Sequence, residues 1–300
     1  MGKTVAETIK DITREHLTKN NGLLLGQAIT AVGWVNNTVP NCPGIVELSN
    51  ADVAGAGIAV GVALSGRRPI FVLRFQDFIF LASSPLINFA GKSREIFDIK
   101  STIFIRSIGT EGAGPNHSGN YHNLFMHVPG FRVWSPMTPK EYEATWKDFM
   151  DHDDPVFVSE HRKSFQNTLE MPDIVLPNAD ITLYAISITR FNVLEATQIL
   201  DRDGIKCNLI HLARLKPCIL DSRLLDSLSQ TKVGMVIDSG YEISGASQSI
   251  AYQLMMAVPG SRVKAIGIFD IPPAFAPQFE NKAPEPIRIV EAVKDFLKIL

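Results

Sequence analysis

The stretch Gly44 to Gly61, GIVELSNADVAGAGIAVG, sets one carboxylate, Asp52, at the mouth of a short apolar run and follows it with a series of small residues. GIVEL is short and β-branched, which predicts a buried parallel strand. Gly55, Ala56, Gly57, Ala59 and Gly61 predict a following helix whose backbone packs very closely against its neighbours. Close packing explains the glycines without explaining Asp52. An aspartate between a strand and a helix also serves as an N-cap. The segment GAGIAVG nearly reads as a dinucleotide fingerprint, with Asp77 about 20 residues past Gly57. Its last spacing is one residue too long, and a pyrophosphate loop follows its strand without an intervening acid.

Composition bounds the rest. With 45% hydrophobic residues, 20% charged residues and a net charge of -2, the chain reads as an ordinary soluble globular protein of about two domains. Nothing is basic enough to suggest nucleic acid. The longest apolar runs, such as GAGIAVGVAL, are too short and too rich in small residues to span a bilayer, and MGKTVAETIKDI holds no apolar signal core. The expected location is cytoplasmic, with no membrane partner. Cys42, Cys207 and Cys218 are odd in number and lack metal-ligand spacing, so they read as reduced, inert thiols.

Helical periodicity covers Val5 to Lys19, and strands alternate with helices from Leu23 to Val158. The pattern breaks from Lys163 to Asn178. Beyond it, ITLYAIS, KCNLIHL, VGMVID and RVKAIGI are short apolar runs separated by helical stretches such as Phe191 to Arg202, which predicts a second parallel α/β domain. The expected organisation is a first domain over 1–165, a linker over 166–178 and a second domain over 179–300. The fold class is α/β, with two doubly wound domains and mainly parallel sheets.

Several stretches, in order, carry a resemblance. After Asp52 come Gly57-Ile58-Ala59-Val60-Gly61, Gly66-Arg67-Arg68-Pro69, the strand IFVLRF and the aromatic segment Phe75-Gln76-Asp77-Phe78-Ile79-Phe80. Then follow the loop Gly114-Pro115-Asn116-His117-Ser118, His127-Val128-Pro129-Gly130, RVWSP and Asp153-Asp154-Pro155-Val156. Together these resemble the pyrimidine-binding module of thiamine diphosphate enzymes, in particular the β subunit of 2-oxoacid dehydrogenase decarboxylase components and the C-terminal half of transketolases. Asp203-Gly204-Ile205, Leu215-Lys216-Pro217, Val236-Ile237-Asp238 and the last helix from Ile287 resemble the transketolase C-terminal domain. Where that family has a glycine-rich loop, SGYEISGASQSIA keeps only part of the pattern.

The resemblance implies a transketolase-like fold and three kinds of site residue. Asp52 stands where the family has an acid that hydrogen-bonds the cofactor's pyrimidine nitrogen, making it both catalytic and cofactor-binding. That acid is nearly always glutamate, so the shorter Asp52 is a departure; a misplacement of about 1 Å costs on the order of 100-fold in rate. Glu47, the other nearby acid, ranks second. Phe75 and Phe78 match the aromatic positions against which the pyrimidine stacks. His117 matches a loop histidine that protonates or orients the substrate oxygen, an imidazole suited to titration near neutrality. His117, His122 and His127 recur every five residues, a spacing that turns each away from the last on a helix and argues against a shared metal.

What is missing bears on partners. The family's Asp-Gln pair is here Ser84-Pro85, and no G-D-G followed by Asn is present to hold magnesium and diphosphate. The resemblance therefore implies an α-like partner subunit carrying that motif, an α2β2 heterotetramer, and thiamine diphosphate with Mg held mainly by the partner. The implied function is generation of an acyl-anion equivalent from a 2-oxoacid and its transfer onward. A transketolase-like or carboligase reaction is the alternative enzyme. A non-catalytic structural or regulatory subunit is the alternative that Asp52 keeps open.

Overall fold

The computed structural model describes residues 2–31 and 35–299. Two compact units divide the chain: one runs up to Glu170 and takes in Arg214–Pro217, and the other comprises Met171–Ala213 and Cys218–Leu300. The boundary falls within 166–178, an irregular segment whose one ladder contact is an antiparallel bridge between Ile174 and Leu209. The return of Arg214–Pro217 to the first unit corrects the expectation of a contiguous second domain.

The first unit contains α1 (Val5–Lys19), β1 (Leu23–Gln27), β2 (Ile45–Leu48), α2 (Asp52–Leu64), β3 (Pro69–Leu73), α3 (Ile79–Pro85) and α4 (Ser93–Phe97). It continues with β4 (Phe104–Gly109), α5 (His122–His127), β5 (Arg132–Trp134), α6 (Pro139–Asp151) and β6 (Val156–His161). The second contains β7 (Ile181–Ile186), α7 (Thr189–Arg202), β8 (Cys207–Leu212), α8 (Ser222–Thr231), β10 (Val233–Tyr241), α9 (Ala246–Ala257), β11 (Arg262–Ile268) and α10 (Pro286–Ile299). Between β8 and α8, β9 (Arg214–Lys216) belongs to the first.

The first sheet has the order β2-β1-β3-β4-β6-β5-β9, parallel except for the antiparallel β5–β9 pair. β3, β4 and β6 are buried at every residue, as strands covered on both faces must be. β2 is different. It lies at the sheet edge, with Val46 and Glu47 exposed, which corrects the expectation of a buried strand. Apolar, β-branched residues suit an edge and a centre alike, and only topology separates them.

The small residues of α2 act unequally. Ala56, Ala59 and Ala63 are buried, and a side-chain carbon at Gly55 would lie 3.2 Å from Leu48. At Gly57 the nearest neighbour would be 4.0 Å away, and at Gly61 nothing lies within 4 Å. The close approach is thus confined to one face. The Ser84-Pro85 departure marks the end of α3: the chain passes into a wide π turn over Leu86–Ala90, with Gly91 N donating to Leu86 O at 3.0 Å.

Gly66-Arg67-Arg68-Pro69 and Asp153-Asp154-Pro155-Val156, distant in sequence, meet. Arg68 donates to Phe149 O at 2.7 Å, His152 O at 2.9 Å and Asp153 at 3.1 Å, while Asp154 takes Arg94 at 2.6 Å. Both stretches enter parallel strands from the N-terminal side, whereas open α/β sheets bind ligands beyond the C-terminal ends. Their part is to align β3 and β6.

In the second unit the parallel order is β11-β10-β7-β8. Ile181, Leu183 and Ala185 of β7 pack with Val193, Leu200, Ile289 and Val293 of α7 and α10. Thr182 and Tyr184, on the opposite face, donate to Ser227 O at 3.0 Å and Leu224 O at 2.7 Å in α8. Helices on both faces make this unit doubly wound. Among the described residues, no helix is long and apolar enough to cross a membrane.

A charged pair lies inside the first unit. Fully buried Arg106 of β4 donates to Glu160 of β6 at 2.7 and 2.9 Å and to Thr38 at 2.9 Å, while Tyr142 OH donates to Glu160 at 2.6 Å. Burial opposes the guanidinium's charge, and the Glu160 carboxylate overrides it, so Arg106 is held charged more firmly than in water. Glu160→Ala should lower stability by about 3–5 kcal/mol, because it strands a buried cation. Chemical denaturation of the full chain measures this, and the double variant Arg106→Met with Glu160→Met should recover most of the loss. A cost near zero for Glu160→Ala would show the pair to be dispensable.

Candidate functional site

The site forms where β3, β4 and β6 release the chain at their C-terminal ends. β3 ends at Leu73, and the chain turns through a 3-10 segment, Gln76–Phe78. In so tight a turn, side chains three apart lie on one side. Phe75 and Phe78 accordingly meet edge to face, with ring centroids 5.7 Å apart at 77°. The loop after β4 brings His117 onto both: its ring is 4.2 Å from Phe75 and 5.6 Å from Phe78. Three of the four residues singled out from sequence therefore form one aromatic cluster.

Two arginines cover that cluster. The Arg162 guanidinium, just past β6, lies 4.3 Å over Phe75, and that of Arg74 lies 5.7 Å over Phe78. Arg162 also donates to Arg74 O at 2.9 Å. Burial pulls the Arg74 guanidinium below its ordinary value, against the attraction of Glu47 and Asp52. Burial and then the charge of Arg74 do the same to Arg162, whose buried Nε has no hydrogen-bond partner. Arg74 thus lies over the aromatic cluster and within the field of the two acids of the opening stretch.

The acids differ in what they do. Glu47 accepts from Ile29 N and Thr30 N, both at 3.1 Å, and from Thr30 Oγ1 at 2.7 Å, so it fastens the segment after β1. Asp52 is the first residue of α2; the N-cap is Ala51, with no side-chain cap bond, which corrects the N-cap reading. Half-buried at the helix N-terminus, Asp52 keeps its carboxylate in the field of unpaired amides and of Arg74.

Asp77 is no ribose acid, because it accepts from Gly119 N at 3.1 Å and Tyr121 OH at 3.3 Å. The other two histidines part company from His117. His122 is buried, its Nδ1 3.2 Å from both Asn120 Oδ1 and Ser159 Oγ, and His127 is exposed at the end of α5. Burial pushes the Cys207 thiol up to about 12, which makes it a poor nucleophile. Sequence reasoning missed Arg74, Arg162 and Gln76, and it weighed Asp77 only as a ribose acid. The alternation aromatic-polar-polar-aromatic in Phe75-Gln76-Asp77-Phe78 was a usable signal for the last two, whereas SEHRKS offered none for Arg162.

Comparisons with known proteins show what the chain as a whole is similar to. Residues 51–167 match the transketolase pyrimidine binding domain. Residues 173–284 match the transketolase C-terminal domain. Over 97% of its length, and 97% of the relative's, the chain is 24% identical to the pyruvate dehydrogenase E1 component subunit beta of Rickettsia felis. It is 27% identical to the acetoin:2,6-dichlorophenolindophenol oxidoreductase subunit beta of Cupriavidus necator, over 85% of this chain and 80% of that one. A solved split-gene transketolase, described as an inactive beta4 tetramer, superposes with a TM-score of 0.76 at 18% identity and 99% coverage of both chains. The chain thus carries a transketolase pyrimidine-binding domain followed by a transketolase C-terminal domain.

Proposed function

We propose that this chain is the β-like subunit of a heteromeric thiamine diphosphate-dependent enzyme that forms an acyl-anion equivalent from a 2-oxoacid and passes it on. The observation that carries the reading is the Phe75-Phe78-His117 cluster, in which three rings from two separate loops meet at the C-terminal ends of the strands. Relatives named as E1 beta and acetoin oxidoreductase beta subunits support it. When bound, thiamine diphosphate supplies an electron sink for a carbon that loses its carboxylate.

The residues present suit that group. A pyrimidine needs a flat apolar face, given by Phe75 and Phe78, and a carboxylate for its ring nitrogen, given by Asp52. Arg162 lies over one face of Phe75, so stacking on that face requires the guanidinium to swing away. Its unpartnered Nε is a donor suited to the carboxylate of a 2-oxoacid. His117, on the edge of the cluster, is placed to give or take a proton at the substrate oxygen. Magnesium and the diphosphate fall to an α-like partner in an α2β2 assembly, since the chain carries no G-D-G…Asn motif. Asp52 also favours a second reading. One methylene shorter than glutamate, it suits a subunit that has kept the fold and lost the chemistry.

Three outcomes separate these readings. With the α-like partner, thiamine diphosphate and magnesium should bind saturably at one site per pair in a calorimetric titration. Asp52→Ala should cut 2-oxoacid turnover by at least about 100-fold, whereas Asp52→Glu should keep or raise it; indifference to both changes would favour the non-catalytic subunit. Arg162→Met should raise KM for the 2-oxoacid by about tenfold with little change in kcat, the loss of one charge-assisted hydrogen bond.

A further inference from the structure

The turn that carries Phe75 and Phe78 has a second side. Gln76 is fully buried: its Nε2 donates to Ser107 O at 3.2 Å and Ser159 Oγ at 2.8 Å, and its Oε1 accepts from Tyr121 N at 2.7 Å. Asp77 accepts from Gly119 N at 3.1 Å and Tyr121 OH at 3.3 Å. The two polar residues between the aromatics thus grip the chain at 119–121, just after His117. On the other side of His117, Ser118 Oγ accepts from Ala113 N at 2.9 Å and donates to Gly114 O at 2.8 Å. Gly119 is needed for the grip, since a side-chain carbon there would fall 1.8 Å from the Tyr121 ring. That ring in turn lies 4.8 Å from Phe80.

We propose that Asp77 is a positioning residue for His117, holding its loop through Gly119 and Tyr121. The proposal rests on the role given to His117 above. Geometry carries it: the same four-residue turn makes the surface that His117 touches and the anchor that holds His117 against it. Burial makes Asp77 harder to ionise than an ordinary aspartate, against the pull of its bonds from Gly119 and Tyr121.

Proton NMR of the full chain tests this without cofactor or partner, following the cross-relaxation between the His117 Cε1 proton and the Phe75 ring, with the signal assigned by His117→Gln. Asp77→Asn keeps the size and one acceptor but removes the charge. It should weaken that cross-relaxation at least about twofold, because a neutral amide accepts less strongly from Gly119 N than a carboxylate does. Asp77→Glu should keep most of it. Amide exchange at Gly119 and Tyr121 should quicken at least about tenfold in Asp77→Asn while exchange within α2 stays unchanged. Tyr121→Phe, which keeps the ring on Phe80, should quicken exchange in the loop by less than Asp77→Asn does. Unchanged cross-relaxation in Asp77→Asn, or exchange in the loop as slow as in the parent chain, would overturn the proposal. Failure to bind thiamine diphosphate with the partner would instead overturn the enzyme reading and leave this result standing.

Discussion

Everything at the site hangs on the ion pair between Arg106 and Glu160. β4 and β6 are adjacent in the middle of the first sheet, with Ile108 opposite Glu160, so Arg106 sits two residues along on the same face and reaches Glu160 diagonally. Fully desolvated ions are costly, and this pair is tolerable only because Tyr142 and Thr38 supply further hydrogen bonds. The register it fixes is the register of the site. β4 runs out into the loop of His117, and β6 runs out to Arg162. A slip of one residue would turn both away from Phe75.

On that base, a single turn divides its labour by position. Phe75 and Phe78 make an apolar surface on one side, and Gln76 and Asp77 consume the polar groups of the neighbouring loop on the other. Buried polar groups must be hydrogen-bonded, and Gln76, with both ends of its amide engaged, meets that demand. The result is an aromatic cluster whose third ring arrives from another strand without any covalent tie. Rigid presentation of this kind suits a reaction that turns on the orientation of a flat cofactor ring.

Sequence landmarks of one family thus sort into two physical kinds. Arg68 and Asp153 lie just before β3 and β6 and tie the starting ends of those strands together. Asp52, Phe75, Phe78 and His117 lie after the strands or at helix starts, where side chains can face a ligand. Both kinds are equally visible in the chain as motifs, and only their position along the strands tells structural from candidate functional.

The sequence by itself determined the class and order of elements. The 3.6-residue period of Val5–Lys19 and the unbroken apolar runs IFVL, ITLYAI and VGMVI report local burial, which is a property of neighbouring residues. It also marked Asp52, Phe75, Phe78 and His117, through their order in a recognisable series. The tertiary structure alone decided that β2 is an edge strand, that Arg214–Pro217 returns to the first sheet, and that Glu47 is spent on Ile29 and Thr30. It alone placed Arg74 and Arg162 over the two phenyl rings and fastened Asp77 to Gly119. Most of these facts depend on which strands become neighbours and on contacts between residues far apart in the chain, such as Glu47 with Thr30 and Asp77 with Gly119. No local period encodes such a contact, because its energy exists only once the sheet has formed.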